Sequence, residues 1–175
     1  MTGRQTHVMD TLPDAARQLD ARIRAQIPLA RALDATLSAW NGDQLVMDAP
    51  LAPNGNDKGC AFGGSLVSIM TLAGWALVTL ALEQRALACD VFVGHSEVAY
   101  LAPVWKDFQI DAELDDGADW DTFFRTLAAR GKARTVVRCH VRERGSDTRC
   151  ATLTARFVAK QHDRVAGKSA AVAAQ

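Results

Sequence analysis

The sequence has no excess of either charge sign and few cysteines. Its 175 residues include 20 Lys and Arg against 20 Asp and Glu, so we do not expect nucleic acid as a partner. The four cysteines contain no CxxC pair, which argues against a zinc site and a disulfide scaffold. The first twenty residues also lack the apolar run of a secretory signal. We therefore expect a cytoplasmic protein with reduced thiols and without metal or cofactor.

Only one stretch is long and apolar enough to suggest a membrane. Residues 66–82 contain no charged side chain, but the 17-residue run is at the lower limit for crossing a bilayer. It also contains polar residues such as Ser68 and Thr71, and no second run follows. A helix that is apolar on all sides is typical of a protein core, so we predict a buried helix and no membrane association.

Hydrophobic periodicity predicts three regions: an N-terminal helical extension over 1–40, one domain over 41–161 and a flexible tail over 162–175. The extension contains a predicted helix over 13–39, which Pro28 kinks or divides. In the domain, the central apolar helix covers about 64–85. Alternating apolar residues predict strands at 44–49, 90–101, 108–115, 133–144 and about 151–159, with a short helix at about 120–129.

These elements predict an α+β fold in which an antiparallel sheet curves around the apolar helix. The acidic face of residues 109–115 is expected beside the basic face of residues 134–142, because opposite charges on neighbouring strands attract. Long edge strands need covering, so a homodimer that continues the sheet, or a dimer of such dimers, is the expected assembly.

The loop that enters the apolar helix is the expected place for chemistry. Residues 54–65 read NGNDKGCAFGGS, so Gly63 and Gly64 open the helix and leave backbone N–H groups unpaired. Such groups can hold an oxyanion or a phosphate. Two structural alternatives remain open: Ser65 caps the helix, or the glycines merely permit close packing. The glycine spacing fits neither a P-loop nor a dinucleotide fingerprint.

The run APLAPNGNDKGCAFGGSLVSIMTLAGWALV, together with SEVAYLAPV at 96–104, resembles the putative thioesterases related to the C-terminal domain of YiiD. These belong to the hotdog superfamily, and the resemblance covers roughly residues 40–160. It implies a hotdog fold, with a curved sheet around a long central helix and dimers formed through edge strands. It also implies hydrolysis of an acyl thioester of coenzyme A or acyl carrier protein.

The resemblance also suggests catalytic residues. Thioesterases of the PaaI type have an Asn six residues before a His-Gly-Gly and a carboxylate seven residues after the second Gly. Here these positions hold Asn56, Phe62-Gly63-Gly64 and Thr71. A threonine hydroxyl is a poor base, so we expect either Asp57 to replace the missing carboxylate or Ser68 and Thr71 to position the water. Asp57 has a simple alternative as a solvated turn residue.

Further residues are expected to contact substrate. Asn54, Phe62 and Ser65 lie on the same loop, and Trp75 is expected to line an acyl tunnel or to pack in the core. The basic cluster of Arg130, Lys132 and Arg134 either holds the phosphates of coenzyme A or is a solvated surface.

Two alternative functions remain open. His95 and Glu97 share one strand face and would suit a hotdog dehydratase, although a strand histidine often has only a structural role. A protein that binds acyl thioesters without hydrolysing them would explain the missing carboxylate at Thr71.

Overall fold

The structure is a computed structural model that describes residues 12–162. The predicted tail over 162–175 therefore lies outside the described residues, apart from His162. The described chain has four α-helices, one 3-10 turn and six strands. In chain order they are α1 (Asp14–Gln26), α2 (Pro28–Leu33), β1 (Thr36–Trp40), β2 (Gln44–Ala49), the 3-10 turn (Ala52–Asn54), α3 (Gly63–Glu83), β3 (Cys89–Tyr100), β4 (Phe108–Leu114), α4 (Trp120–Arg130), β5 (Lys132–Glu143) and β6 (Arg149–Gln161).

The N-terminal segment differs from its prediction. Pro28 divides the predicted helix as expected, and it is the first residue of α2, where its missing N–H costs no hydrogen bond. The prediction of helix beyond residue 33 is wrong. Asp34 takes a left-handed conformation with φ of 52° and ends α2. The following residues form β1, which pairs antiparallel with β2.

All six strands form one antiparallel sheet in the order β1-β2-β4-β5-β6-β3. The predicted pairing of acidic and basic faces is confirmed, since Asp111 lies opposite His140 and Glu113 opposite Arg138. Arg142 also donates from Nε to Oδ2 of Asp111 at 2.6 Å. The alternate residues of β5 and β6 that were predicted to face the core are at most 5 % exposed.

Helix α3 occupies the centre of the fold. It is long and apolar enough to cross a membrane, but 67 % of its most apolar window is buried inside the protein. Gly74 lets the ring of Phe157 on β6 lie against the helix, because a Cβ at Gly74 would come within 2.7 Å of that ring. The apolar run is therefore explained by burial in the core of the fold, as the sequence predicted.

Strand β3 lies at one edge of the sheet and pairs only with β6 among the described residues. Along and just beyond it, Phe92, Val93, Tyr100 and Leu101 are each at least 46 % exposed. A long edge with exposed apolar side chains is unusual in a monomer, because unpaired strand edges tend to associate.

Candidate active site

The first turn of α3 presents unpaired backbone donors. Phe62 precedes the helix in an extended conformation, and no side chain caps it. The N–H groups of Gly63, Gly64 and Ser65 consequently have no partner within the helix. Ser65 is the third helical residue, so the structure does not support the alternative in which it caps the helix.

A cavity of about 520 Å³ opens beside this first turn. It is lined by Ala61, Gly63, Gly64 and Leu66 and by the segment from Tyr100 to Val104. A Cβ at Gly64 would overlap the ring of Phe62, which is 55 % exposed. Glycine at this position therefore permits the turn that brings the helix start to the cavity.

The loop before α3 is held by backbone pairing. The Phe62 N–H donates to the Asn54 carbonyl at 2.7 Å, and Gly55 forms a β-bridge with Ala61. The side chain of Asn54 is 1 % exposed, and its Nδ2 donates to the carbonyls of Leu33 and Pro50, at 2.8 Å each. This geometry makes Asn54 a connection between α2 and the loop, with no access to a substrate.

The side chain of Asn56 is also used within the loop. Its Oδ1 accepts from the Lys58 N–H at 2.8 Å, and its Nδ2 lies 3.2 Å from Sγ of Cys60. Asp57 projects into solvent, where its carboxylate is 2.8 Å from Nζ of Lys58. Neither Asn56 nor Asp57 lines the cavity beside Gly63, although both belong to the loop that leads to it.

Three of the predicted residues lie along α3. Ser68 Oγ donates to the Gly64 carbonyl at 2.8 Å, which satisfies the hydroxyl within the helix. Thr71 is half-buried one turn further on, and Trp75 donates from Nε1 to the Val91 carbonyl at 3.1 Å. These residues share a half-exposed helix face that runs along edge strand β3.

Tyr100 lies at the site although it was not among the predicted site residues. Its hydroxyl donates to the Gly63 carbonyl at 3.1 Å, and its ring lies against Gly63, where a Cβ would be 3.3 Å from Cε1. One signal was available, because the only tyrosine of the chain lies in the SEVAYLAPV segment. The contact with Gly63 spans 37 residues and was not evident from the sequence.

His95 and Glu97 are exposed and remain apart from the cavity. A bulge between Val93 and His95 interrupts the pairing of β3 with β6. In the described part of the chain, no hydrogen bond or ion pair joins His95 to Glu97. The geometry therefore gives the dehydratase alternative no support.

The predicted basic cluster lies in a concave part of the surface. Arg130, Lys132 and Arg134 line a cavity of about 520 Å³, and the structure adds Arg156 from β6. Gly94, at the bulge of β3, forms part of the same wall. Within residues 12–162, none of these four cations forms an ion pair, so their charge is available to an anionic ligand.

Comparison with known proteins agrees with the fold. The sequence profile of the family described as "putative thioesterase (yiiD_Cterm)" matches residues 16–161. A putative thioesterase from Shewanella oneidensis is 25 % identical with a TM-score of 0.74, and the match covers 84 % of this chain and 98 % of that one. A protein of unknown function from Chlorobaculum tepidum has a TM-score of 0.78 at 24 % identity, with coverage of 84 % and 94 %. A Pseudomonas aeruginosa protein described as a probable thioesterase is 18 % identical, with a TM-score of 0.71 and coverage of 89 % and 100 %.

Proposed function

Since the chain belongs to the putative thioesterase family of the YiiD C-terminal domain, we propose that it hydrolyses acyl thioesters at the first turn of α3. The observation that carries this proposal is the set of unpaired N–H groups at Gly63, Gly64 and Ser65 beside a cavity with apolar walls. Attack of water places negative charge on the thioester carbonyl oxygen. Fixed N–H donors and the helix dipole stabilise such a charge.

The remaining residues have supporting roles in this mechanism. Asn56 holds the loop in shape through Lys58 and Cys60, so that the helix start stays open to substrate. The acyl chain lies along the half-exposed face of α3 that includes Thr71 and Trp75. Attacking water is activated by Asp57 or is positioned by Ser68 and Thr71. The second arrangement is favoured because Asp57 points into solvent, where it pairs with Lys58, and does not line the cavity beside Gly63.

The basic cavity is the proposed site for the carrier of the acyl group. Four unpaired cations at Arg130, Lys132, Arg134 and Arg156 suit the phosphates of coenzyme A. The same charges would attract the acidic surface of an acyl carrier protein. Competitive inhibition by free coenzyme A distinguishes the two carriers. We expect tight inhibition if the cavity binds the nucleotide of coenzyme A, and weak inhibition if it binds an acyl carrier protein.

We further propose a cytoplasmic homodimer formed through β3. The exposed apolar side chains on this edge support the dimer, and two dimers associating further would give the tetramer. All four cysteines are free thiols, which is consistent with a reducing compartment.

The test of hydrolysis is thiol release from acyl-coenzyme A substrates with short, long and aromatic acyl groups. We expect turnover of at least one substrate and at least tenfold lower turnover in Asn56→Ala. Asn41→Ala is the matched control, because Asn41 supports an exposed turn elsewhere through Asp43 and Gln44. Normal turnover in Asn56→Ala would contradict the role given to the loop.

A binding protein without hydrolytic activity is the second candidate, favoured by Thr71 at the position of the usual carboxylate. It predicts no thiol release across the panel, together with a higher melting temperature in the presence of one acyl thioester. Turnover by the wild type would exclude a pure binding protein. Loss of that turnover in Thr71→Val or in Asp57→Asn would identify the residue that positions or activates the water.

A further inference from the structure

We propose that the hydroxyl of Tyr100 donates a hydrogen bond to the thioester carbonyl oxygen and stabilises the oxyanion together with the N–H groups of α3. This inference rests on the proposed function and assigns the reaction a side chain that touches substrate. It starts from the composition of the cavity beside Gly63. Among the described residues that line it, Tyr100 alone has a polar side chain, because all the others are Gly, Ala, Leu, Pro or Val.

The hydroxyl is already at the helix start. Oη lies 3.1 Å from the carbonyl oxygen of Gly63, the first residue of α3. A Cβ at residue 63 would lie 3.3 Å from Cε1, which is a tight contact, and 3.5 Å from Oη, so glycine lets the ring lie here without being displaced. Gly63 therefore serves two purposes: it offers a free N–H and it makes room for the tyrosine.

The hydroxyl can leave its present acceptor at little cost. The Gly63 carbonyl also accepts the regular helical hydrogen bond from the N–H four residues later. It is therefore not left without a partner when the tyrosine turns to a ligand. Tyr100 is 57 % exposed in the protomer, so no neighbour within the same chain blocks the small rotation that this requires.

The reaction is balanced without proton transfer from Tyr100. Water adds to the carbonyl carbon, and the C=O electron pair moves to oxygen, where Oη–H and a helix N–H hold it. The carbonyl re-forms as the C–S bond breaks. The attacking water loses two protons: one passes to the departing sulfur and forms the thiol, and the other passes to solvent. The products are therefore a carboxylate, the thiol and one free proton. Tyr100 keeps its proton, and its contribution is electrostatic.

The test compares wild type, Tyr100→Phe and the control Trp105→Phe on the best substrate of the acyl-coenzyme A panel. Trp105 is an exposed aromatic residue nearby that does not line the cavity. We expect Tyr100→Phe to lower kcat about 100-fold, as loss of one oxyanion donor does, with KM changed less than threefold and the melting temperature retained. Trp105→Phe should behave as wild type.

A second variant tests the same geometry from the other side. Gly63→Ala keeps the backbone N–H but crowds the ring of Tyr100, so we expect a lower kcat. Adding Tyr100→Phe to Gly63→Ala should then reduce kcat little further. If wild type turns over substrate and Tyr100→Phe has an unchanged kcat, the role of Tyr100 is refuted while the proposed hydrolysis stands. Absence of wild-type turnover on acyl thioesters of both coenzyme A and acyl carrier protein would refute both. A rise in KM alone would show that Tyr100 only binds substrate.

Discussion

Asn54 donates from Nδ2 to the carbonyl of Leu33 at 2.8 Å and thereby ties the N-terminal helices to the loop that opens α3. The same amide nitrogen bonds the carbonyl of Pro50, and the Asn54 carbonyl holds the N–H of Phe62. The carbonyls of Leu33 and Pro50, which accept from the Asn54 side chain, lie at the end of α2 and just after β2. No regular backbone hydrogen bond would replace the bond from Asn54 if its side chain were removed. One buried amide therefore connects α2, the loop and the start of the candidate site.

Asn54→Ala is expected to destabilise the protein by about 2 to 4 kcal/mol, because it leaves two carbonyls without this donor in a buried region. The measurement is urea unfolding followed by circular dichroism. Asn41→Ala is again the control: Asn41 is exposed, and we expect a loss below about 1 kcal/mol there. Equal losses at the two positions would contradict the connecting role of Asn54.

Gly74→Ala is expected to destabilise the protein although alanine is the better helix former. A Cβ at Gly74 would lie 2.7 Å from Cε2 of Phe157, a ring with 0 % exposure. Overpacking of this kind costs about 1 to 3 kcal/mol, which exceeds the gain of about 1 kcal/mol in helix propensity. In a Phe157→Leu background the overlap is relieved, so Gly74→Ala should then cost less or stabilise. A cost that is the same in both backgrounds would refute the steric cause.

The sequence predicted every strand except β1, and the reason for this failure is local. Leu33 and Leu37 continue the helical spacing of the preceding residues, while the turn that separates them depends on Asp34 at positive φ. Aspartate tolerates this conformation but does not signal it as glycine would. The long alternating strands were predictable because each buries one face along its whole length.

The candidate site was predictable only in part. Gly63 and Gly64 could be found because a glycine pair before an apolar run indicates a helix start with free N–H groups. The burial of Asn54 and the approach of Tyr100 to Gly63 depend on contacts distant in sequence. Nothing in the local pattern distinguishes a solvated loop asparagine from a buried one.

His140 should make stability depend on pH. It is 7 % exposed on β5, and in the structure neither ring nitrogen has a hydrogen-bond partner. Burial lowers the pKa of His140 below its ordinary value of 6.5, and Arg149 and Arg138 lower it further against the opposing effect of Glu113 and Asp111. Below pH 6.5 the unfolded chain therefore binds a proton that the folded protein resists.

The contribution of neutral His140 to the free energy of unfolding is thus fully present above pH 6.5. It is lost as the pH falls from 6.5 through the lower pKa of His140 in the folded protein. One proton limits the slope to about 1.4 kcal/mol per pH unit. Urea unfolding between pH 7.5 and 5 should show a steeper loss in wild type than in His140→Gln, which does not titrate. Parallel profiles would mean that the imidazole is not held neutral by the fold.

The charge of the basic cavity should affect substrate affinity more than turnover. Arg134→Gln with Arg156→Gln removes two of the four cations that line it, and neither residue lines the cavity beside Gly63. We expect KM for an acyl-coenzyme A to rise about tenfold at low salt, with kcat nearly unchanged, and the difference to shrink at high salt. A fall in kcat with unchanged KM would show that the cations act in the chemical step and would refute a carrier-binding role.

Dimerisation through β3 is tested by placing a charge on the exposed edge. Val93 is 46 % exposed on this strand, so Val93→Lys should leave the monomer folded but oppose pairing of two apolar edges. We expect light scattering after size-exclusion chromatography to give twice the chain mass for wild type and a lower mass for the variant. Leu29→Lys is the control, since Leu29 is 58 % exposed but lies on α2, away from β3. A dimer that persists in Val93→Lys and dissociates in Leu29→Lys would move the interface to the N-terminal helices.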